Sequence, residues 1–153
     1  MSHPIKIYFT MILMLSFHIS SSANAQEELL FTDLNDMKIN LVLEKDITYV
    51  FQAWASWCAN CSKAIERVDN VIEKLDDKKI KLITVSIDDE STGAKGYFQK
   101  NHAVFSERNL AVLRDPVAKI LRGFKLKSVP ATIIIHKTGK TEVLHGFPEL
   151  LKL

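Results

Sequence analysis

The sequence predicts an α/β fold, a central mixed sheet with helices on both faces, in a single domain. Three observations predict it. Strand-like and helix-like patterns follow the order β, β, α, β, α, α, β, β, as parallel strands joined by crossover helices require. The last two strands are joined by a short turn, so an antiparallel hairpin flanks the parallel part. No repeat or linker interrupts the chain, and 47% hydrophobic with 25% charged residues is ordinary globular composition.

Residues 1–25 stand apart: they hold one strong base, Lys6, no acid, an apolar run from Ile7 to Ile19, and then Ser20-Ser21-Ser22-Ala23-Asn24-Ala25. This pattern predicts a secretory signal peptide cleaved after Ala25. As a helix the apolar run would be about 20 Å long, short of a hydrocarbon core of about 30 Å, so a membrane-anchored form is the weaker expectation. Residues 26–153 are the expected domain. Ile39–Leu43 is a short strand. Thr48–Trp54 is rich in β-branched and aromatic residues and predicts a buried strand. Ala64, Ile65, Val68, Val71, Ile72 and Leu75 then recur at helical spacing, with charged residues between them, and predict an amphipathic helix. Ile80–Ile87 is the next strand and Gly93–His102 a weaker helix. Asp115-Pro116 reads as an N-cap with proline at the first helical position, starting a helix to Arg122 that Gly123 ends. Ala131–Ile135 is a strand, Lys137–Lys140 a turn, and Thr141–Leu144 the hairpin partner.

Charge and cysteine usage exclude several classes. Twenty Lys and Arg against eighteen Asp and Glu leave a net +2, so the sequence has no basic footprint for nucleic acid. Two cysteines are too few for a disulfide-stapled mini-protein or a four-cysteine zinc site. Both fall in Cys58-Ala59-Asn60-Cys61, where Cys58 follows the buried strand and opens the amphipathic helix. Three residues apart, they lie nearly one helical turn from each other and can close a disulfide. The unpaired N–H groups and partial positive charge of a helix N-terminus stabilise a thiolate at Cys58 more than at Cys61. Cys58 is therefore the attacking sulfur, and Cys61 resolves the mixed disulfide. Zinc would need two more ligands. His102, His136 and His145 are present but do not form a His-x3–5-His or second Cys-x-x-Cys pattern.

Trp54-Ala55-Ser56-Trp57-Cys58-Ala59-Asn60-Cys61 resembles the active-site segment of thioredoxin-fold proteins. Val129-Pro130-Ala131-Thr132, before a strand and a Lys-x-Gly-Lys turn, resembles that fold's second hallmark. With the export signal, the chain is most similar to the TlpA/ResA-like group of exported thioredoxin-like proteins, over about residues 29–147. The resemblance implies a periplasmic thiol–disulfide oxidoreductase whose redox group is the Cys58–Cys61 disulfide itself, with no other cofactor and no metal. It implies a cis peptide bond before Pro130, with the Val129 backbone pairing with an extended substrate and the Trp57 indole at the rim. It also implies protein thiol or disulfide substrates, such as apocytochrome c or copper-site cysteines, and a membrane-embedded electron donor.

The pattern departs from the group at several positions. Asn60 stands where proline often precedes the second cysteine. Gln52 replaces a buried acid six residues before the first. Ala64 and Glu66 replace a glutamate and a helix-kinking proline. Ala59, Asn60 and Gln52 are thus the residues expected to tune the pair. Two alternatives accompany the reductase reading. One is a disulfide-donating oxidase, which uses the same residues in reverse. The other is a copper-binding or delivery module holding Cu(I) with Cys58, Cys61 and a histidine, His136 or His145.

Overall fold

The computed structural model describes residues 28–105, 109–116 and 118–146. The predicted signal peptide and the tail from Phe147 lie outside them. Among the described residues seven strands form one sheet: β1 (Glu28–Thr32), β2 (Lys38–Val42), β3 (Thr48–Trp54), β4 (Ile80–Ser86), β5 (Asn109–Arg114), β6 (Ala131–Ile135) and β7 (Thr141–His145). The helices are α1 (Cys61–Leu75), α2 (Ser91–Lys100) and α3 (Lys119–Gly123), with a 3-10 turn at His102–Val104. The strand order is β2-β1-β5-β4-β3-β6-β7. β3–β4 and β4–β5 pair in parallel, whereas β6 and β7 add antiparallel on one side and the β1–β2 hairpin on the other. The expected mixed sheet with parallel strands in the middle and a late hairpin at one edge is therefore the observed one.

Period-2 alternation divides the central strands into two faces. Tyr49 and Phe51 of β3, Ile83 and Val85 of β4, and Ile133 and Ile135 of β6 share one face with Phe31 and Leu113. Phe124 and Leu126, just after α3, pack against that face. On the other face Val50 and Leu82 meet Val68 and Ile72 of α1. Further along β3, Trp54 meets Ile65 of α1 and Ala94 of α2. Trp54 stacks on Tyr97 at 4.9 Å and meets the edge of Phe105 at 5.3 Å. Burial of such side chains contributes about 1.5–3 kcal/mol each, and this fixes α1 and α2 above the end of β3.

Two strands escape the sequence pattern. β1 carries adjacent apolar residues rather than a clean alternation, and it joins the sheet through the single pair Thr32–Arg114. β5, Asn-Leu-Ala-Val-Leu-Arg, is composed largely of helix-tolerant residues and is extended because β4 offers it a parallel ladder. The chain near Asp115 differs from the helix start that the sequence predicts. The Ala118 N–H donates to the Asp115 carbonyl at 2.8 Å, so Asp115-Pro116 forms a turn with proline at its second position. Ala118 has a φ of 50°, and α3 begins only at Lys119 and includes Gly123. A left-handed residue cannot belong to a right-handed helix, which is why the helix starts later than the capping signal suggests.

Candidate active site

The site is built where β3 ends. Its strand register runs through Trp54, beside Ser86 of β4, and the chain then turns. The Cys58 N–H donates to the Ala55 carbonyl at 3.1 Å, and the Cys61 N–H to the Cys58 carbonyl at 3.3 Å. Cys58 therefore sits in a turn one residue-triplet ahead of α1, and Cys61 is the first helical residue. This corrects the expectation that Cys58 itself opens the helix. Asn60 is the N-cap and makes no side-chain capping hydrogen bond. The helix runs unbroken through Ala64, which is buried, and Glu66, which is exposed.

Cys58 and Cys61 form a disulfide, with their Cα atoms 5.5 Å apart. Cys58 is 7% exposed and Cys61 0%, so an incoming group reaches Cys58 first. Trp57 is 69% exposed beside it, and Ala59 and Asn60 are also exposed. Trp54 is fully buried. The Val129–Pro130 peptide bond is cis, and the Val129 side chain packs into the cluster of Trp54, Cys58 and Cys61. Val129 lies 71 positions after Cys58 in the chain, and the antiparallel β3–β6 register, Ala53 opposite Ala131, brings them together. A groove of about 490 Å³ opens next to Cys58, between Trp57 and Ser62 on one side and Gly96, Tyr97 and Lys100 of α2 on the other.

Gln52 lies on the α1 face between Val50 and Trp54. It is level with Thr84 of β4 and Thr132 of β6, and all three are buried. The Thr132 hydroxyl donates to Gln52 Oε1 at 2.7 Å, and Gln52 Nε2 donates to the Ala53 carbonyl at 3.2 Å. Gln52 thus satisfies a buried polar layer beneath the site and presents an amide rather than a carboxylate.

The histidines among the described residues are scattered. His145 is at the Cys58 end of the sheet, opposite Ala131, whereas His136 follows β6 at the far end and faces Glu142 at 3.5 Å. His102 is exposed in the 3-10 turn. Among the described residues no three His, Cys, Asp or Glu side chains gather as a metal-binding group. One cluster went unnoticed in the sequence: the buried Asp88, directly after β4, bonds to Ser56 two residues before Cys58. Its local signal is only Ser86-Ile87-Asp88 at a strand end, and the partner is thirty-two positions away.

A thioredoxin-like family model matches residues 45–141. ResA from Bacillus cereus, described as a thiol-disulfide oxidoreductase, is 25% identical over 109 residues, which are 71% of this chain and 60% of ResA. The chain thus spans about three-fifths of the length of the curated relatives it matches. The exposed lipoprotein thioredoxin of Streptococcus pneumoniae superposes with a TM-score of 0.63 at 23% identity, covering 80% of this chain and 92% of that one. A secreted disulfide oxidoreductase of Mycobacterium tuberculosis superposes with a TM-score of 0.61 at 14% identity, covering 82% and 87%. With the Cys58–Cys61 disulfide at the end of β3, the cis bond before Pro130 and a family match over most of its length, this chain belongs to the thioredoxin-like family.

Proposed function

We propose that this chain is an exported thiol–disulfide oxidoreductase that reduces disulfides of protein substrates through Cys58 and Cys61. The observation that carries the reading is the Cys58–Cys61 disulfide at the junction of β3 and α1, with Cys58, the more exposed of the two residues, beside an open groove. In the reduced protein, the Cys58 thiolate attacks one sulfur of a substrate disulfide. A Cys58–substrate disulfide forms and the other substrate sulfur leaves as a thiolate. The Cys61 thiolate then attacks the Cys58 sulfur, the mixed disulfide breaks, and the substrate departs with both sulfurs reduced. Two electrons have passed to the substrate, and the Cys58–Cys61 disulfide must be reduced again. Family resemblance directs the search for that donor to a membrane-embedded protein. It directs the search for substrates to apocytochrome c and copper-site thiols.

Trp57 serves as the apolar rim and the Val129 backbone before Pro130 as the strand-like edge for the substrate. Ala59, Asn60 and Gln52 tune the pair. Periplasmic export is supported by the leader pattern of residues 1–25 and by two structural neighbours, one a secreted oxidoreductase and one an exposed lipoprotein. The testing experiment is equilibration of the pair against a graded thiol buffer. A potential near about −270 mV identifies a reductant, and one near about −120 mV identifies a disulfide donor and reverses the proposed direction. A Cys61→Ser variant should accumulate mixed disulfides with exported proteins. A variant that traps nothing, in a protein that exchanges with no disulfide, removes the reading altogether.

A further inference from the structure

Asp88 is an acidic side chain 6% exposed. Its carboxylate accepts the Ser56 backbone N–H at 2.9 and 3.1 Å and the Ser56 hydroxyl at 2.7 Å. It also accepts the Ser86 hydroxyl at 2.6 Å, while Ser86 Oγ accepts the Asp88 N–H at 3.0 Å. The backbone on the other side is held as well. Arg114, 2% exposed, donates from Nη2 to the carbonyls of Asp88 at 3.2 Å and Asp89 at 2.8 Å, and Nη1 pairs with Asp36. Gly93 gives this arrangement room. A Cβ there would stand 3.0 Å from Ser56 Oγ and 3.7 Å from Asp88 Oδ1.

A buried carboxylate is costly unless its lone pairs are filled, and here four donor contacts converge on it. The exchange chemistry has no step for this acid, since the two cysteines alone carry it. Three of the four contacts come instead from Ser56, in the turn that carries the nucleophile. Ser56, Trp57 and Cys58 are consecutive, so a restraint on the Ser56 amide and hydroxyl limits where Cys58 can go. A negative charge held against Ser56, two positions before Cys58 in the chain, also opposes formation of the thiolate. The other charged or ionisable groups around the turn are Lys63 on the exposed side of α1, Lys95, Tyr97 and Lys100 on α2, Asp89 and Glu90 in the same loop, and Arg114 and Asp36 behind it. Of the cations, Lys100 shares the groove with Cys58.

We propose that Asp88 is a positioning residue for the redox pair: through Ser56 it holds the Cys58 turn, and its charge restrains ionisation of the Cys58 thiol. The inference rests on the proposed function only in taking Cys58 and Cys61 to cycle between disulfide and dithiol. The test compares wild type with Asp88→Asn, Asp88→Ala and Ser56→Ala. It follows the alkylation rate of the reduced protein by iodoacetamide against pH, the reduction potential in a glutathione buffer, and thermal unfolding.

Asp88→Asn keeps an acceptor for the Ser56 N–H and removes the charge. It should move the alkylation midpoint to lower pH, raising the rate below that midpoint about three- to tenfold, and make the pair more oxidising. Ser56→Ala keeps the charge, so its midpoint should stay closer to wild type than that of Asp88→Asn. Should Asp88→Ala fail to fold, these two variants carry the test. If Asp88→Asn lowers thermal stability yet keeps the wild-type midpoint and potential, the role is structural and the proposal is wrong. Alkylation needs no substrate. A wild type that reduces no protein disulfide would therefore overturn the proposed function and leave the Asp88 inference to its own midpoint.

Discussion

Replacing Thr132 by valine removes one hydroxyl from the polar layer under the site and leaves Gln52 Oε1 buried without its 2.7 Å donor. The two side chains are nearly the same size, so packing changes little. The cost is that of an unsatisfied buried acceptor, about 1–3 kcal/mol. For a domain of this size that corresponds to a fall in Tm of roughly 3–5 °C per kcal/mol. Replacing Gln52 by leucine strands the Thr132 hydroxyl instead, and costs a similar amount. The double replacement leaves neither group unpaired, and substituting apolar groups for both partners of a buried hydrogen bond is close to neutral. The double variant should therefore be more stable than either single one, with a favourable coupling of about 1 kcal/mol or more. Urea unfolding of the oxidised proteins measures all four corners of the cycle. Additive losses, with the double variant the least stable, would refute the reasoning and mean that each side chain contributes through packing alone.

Further outcomes follow from other parts of the molecule. Trp57→Ala should change unfolding stability by less than about 0.5 kcal/mol, because the ring is exposed. It should lower turnover of a protein disulfide about tenfold while sparing a small disulfide, and equal losses on both would remove the rim role. Gly96→Ala meets nothing within 4 Å and should stabilise α2 by up to about 1 kcal/mol in a melt. Gly93→Ala should gain none of this, since its Cβ presses on Ser56 Oγ at 3.0 Å. The surface pair Lys81–Glu44 has a defined pH window. Hydrogen bonding to Lys81 holds the Glu44 carboxyl below its ordinary 4.5, and the same bond holds Lys81 above 10.5. Its contribution is complete between those values. It is lost as pH falls through the lowered Glu44 value, and again as pH rises through the raised Lys81 value. The Tm difference between wild type and Glu44→Gln should therefore shrink at both extremes and in high salt. A difference that is flat with pH would count against the pair.

How legible each part was depends on the range of the interactions behind it. β3, β4 and β6 are runs of β-branched and aromatic residues buried on both faces, and such runs announce themselves. The apolar stripe of α1 is equally local. β5 was not legible, because Leu110, Ala111 and Leu113 suit a helix as well as a strand and the ladder offered by β4 decided between them. α3 starts later than Asp115-Pro116 predicts for a related reason: Asp-Pro serves a turn as readily as a helix cap, and the left-handed Ala118 selects the turn.

The redox chemistry was written in the chain order. A Cys-x-x-Cys between a buried strand and an amphipathic helix needs no distant residue to bring its sulfurs together, since only Ala59 and Asn60 lie between them. The surroundings of those sulfurs are another matter. Val129 reaches the disulfide only through the β3–β6 register, Thr132 reaches Gln52 across 80 positions, and Asp88 reaches Ser56 across 32. Each contact is a product of strand pairing and loop closure, for which neighbouring residues carry no signal. The local sequence thus specified the reacting atoms, and the packed sheet specified the groups that hold and tune them.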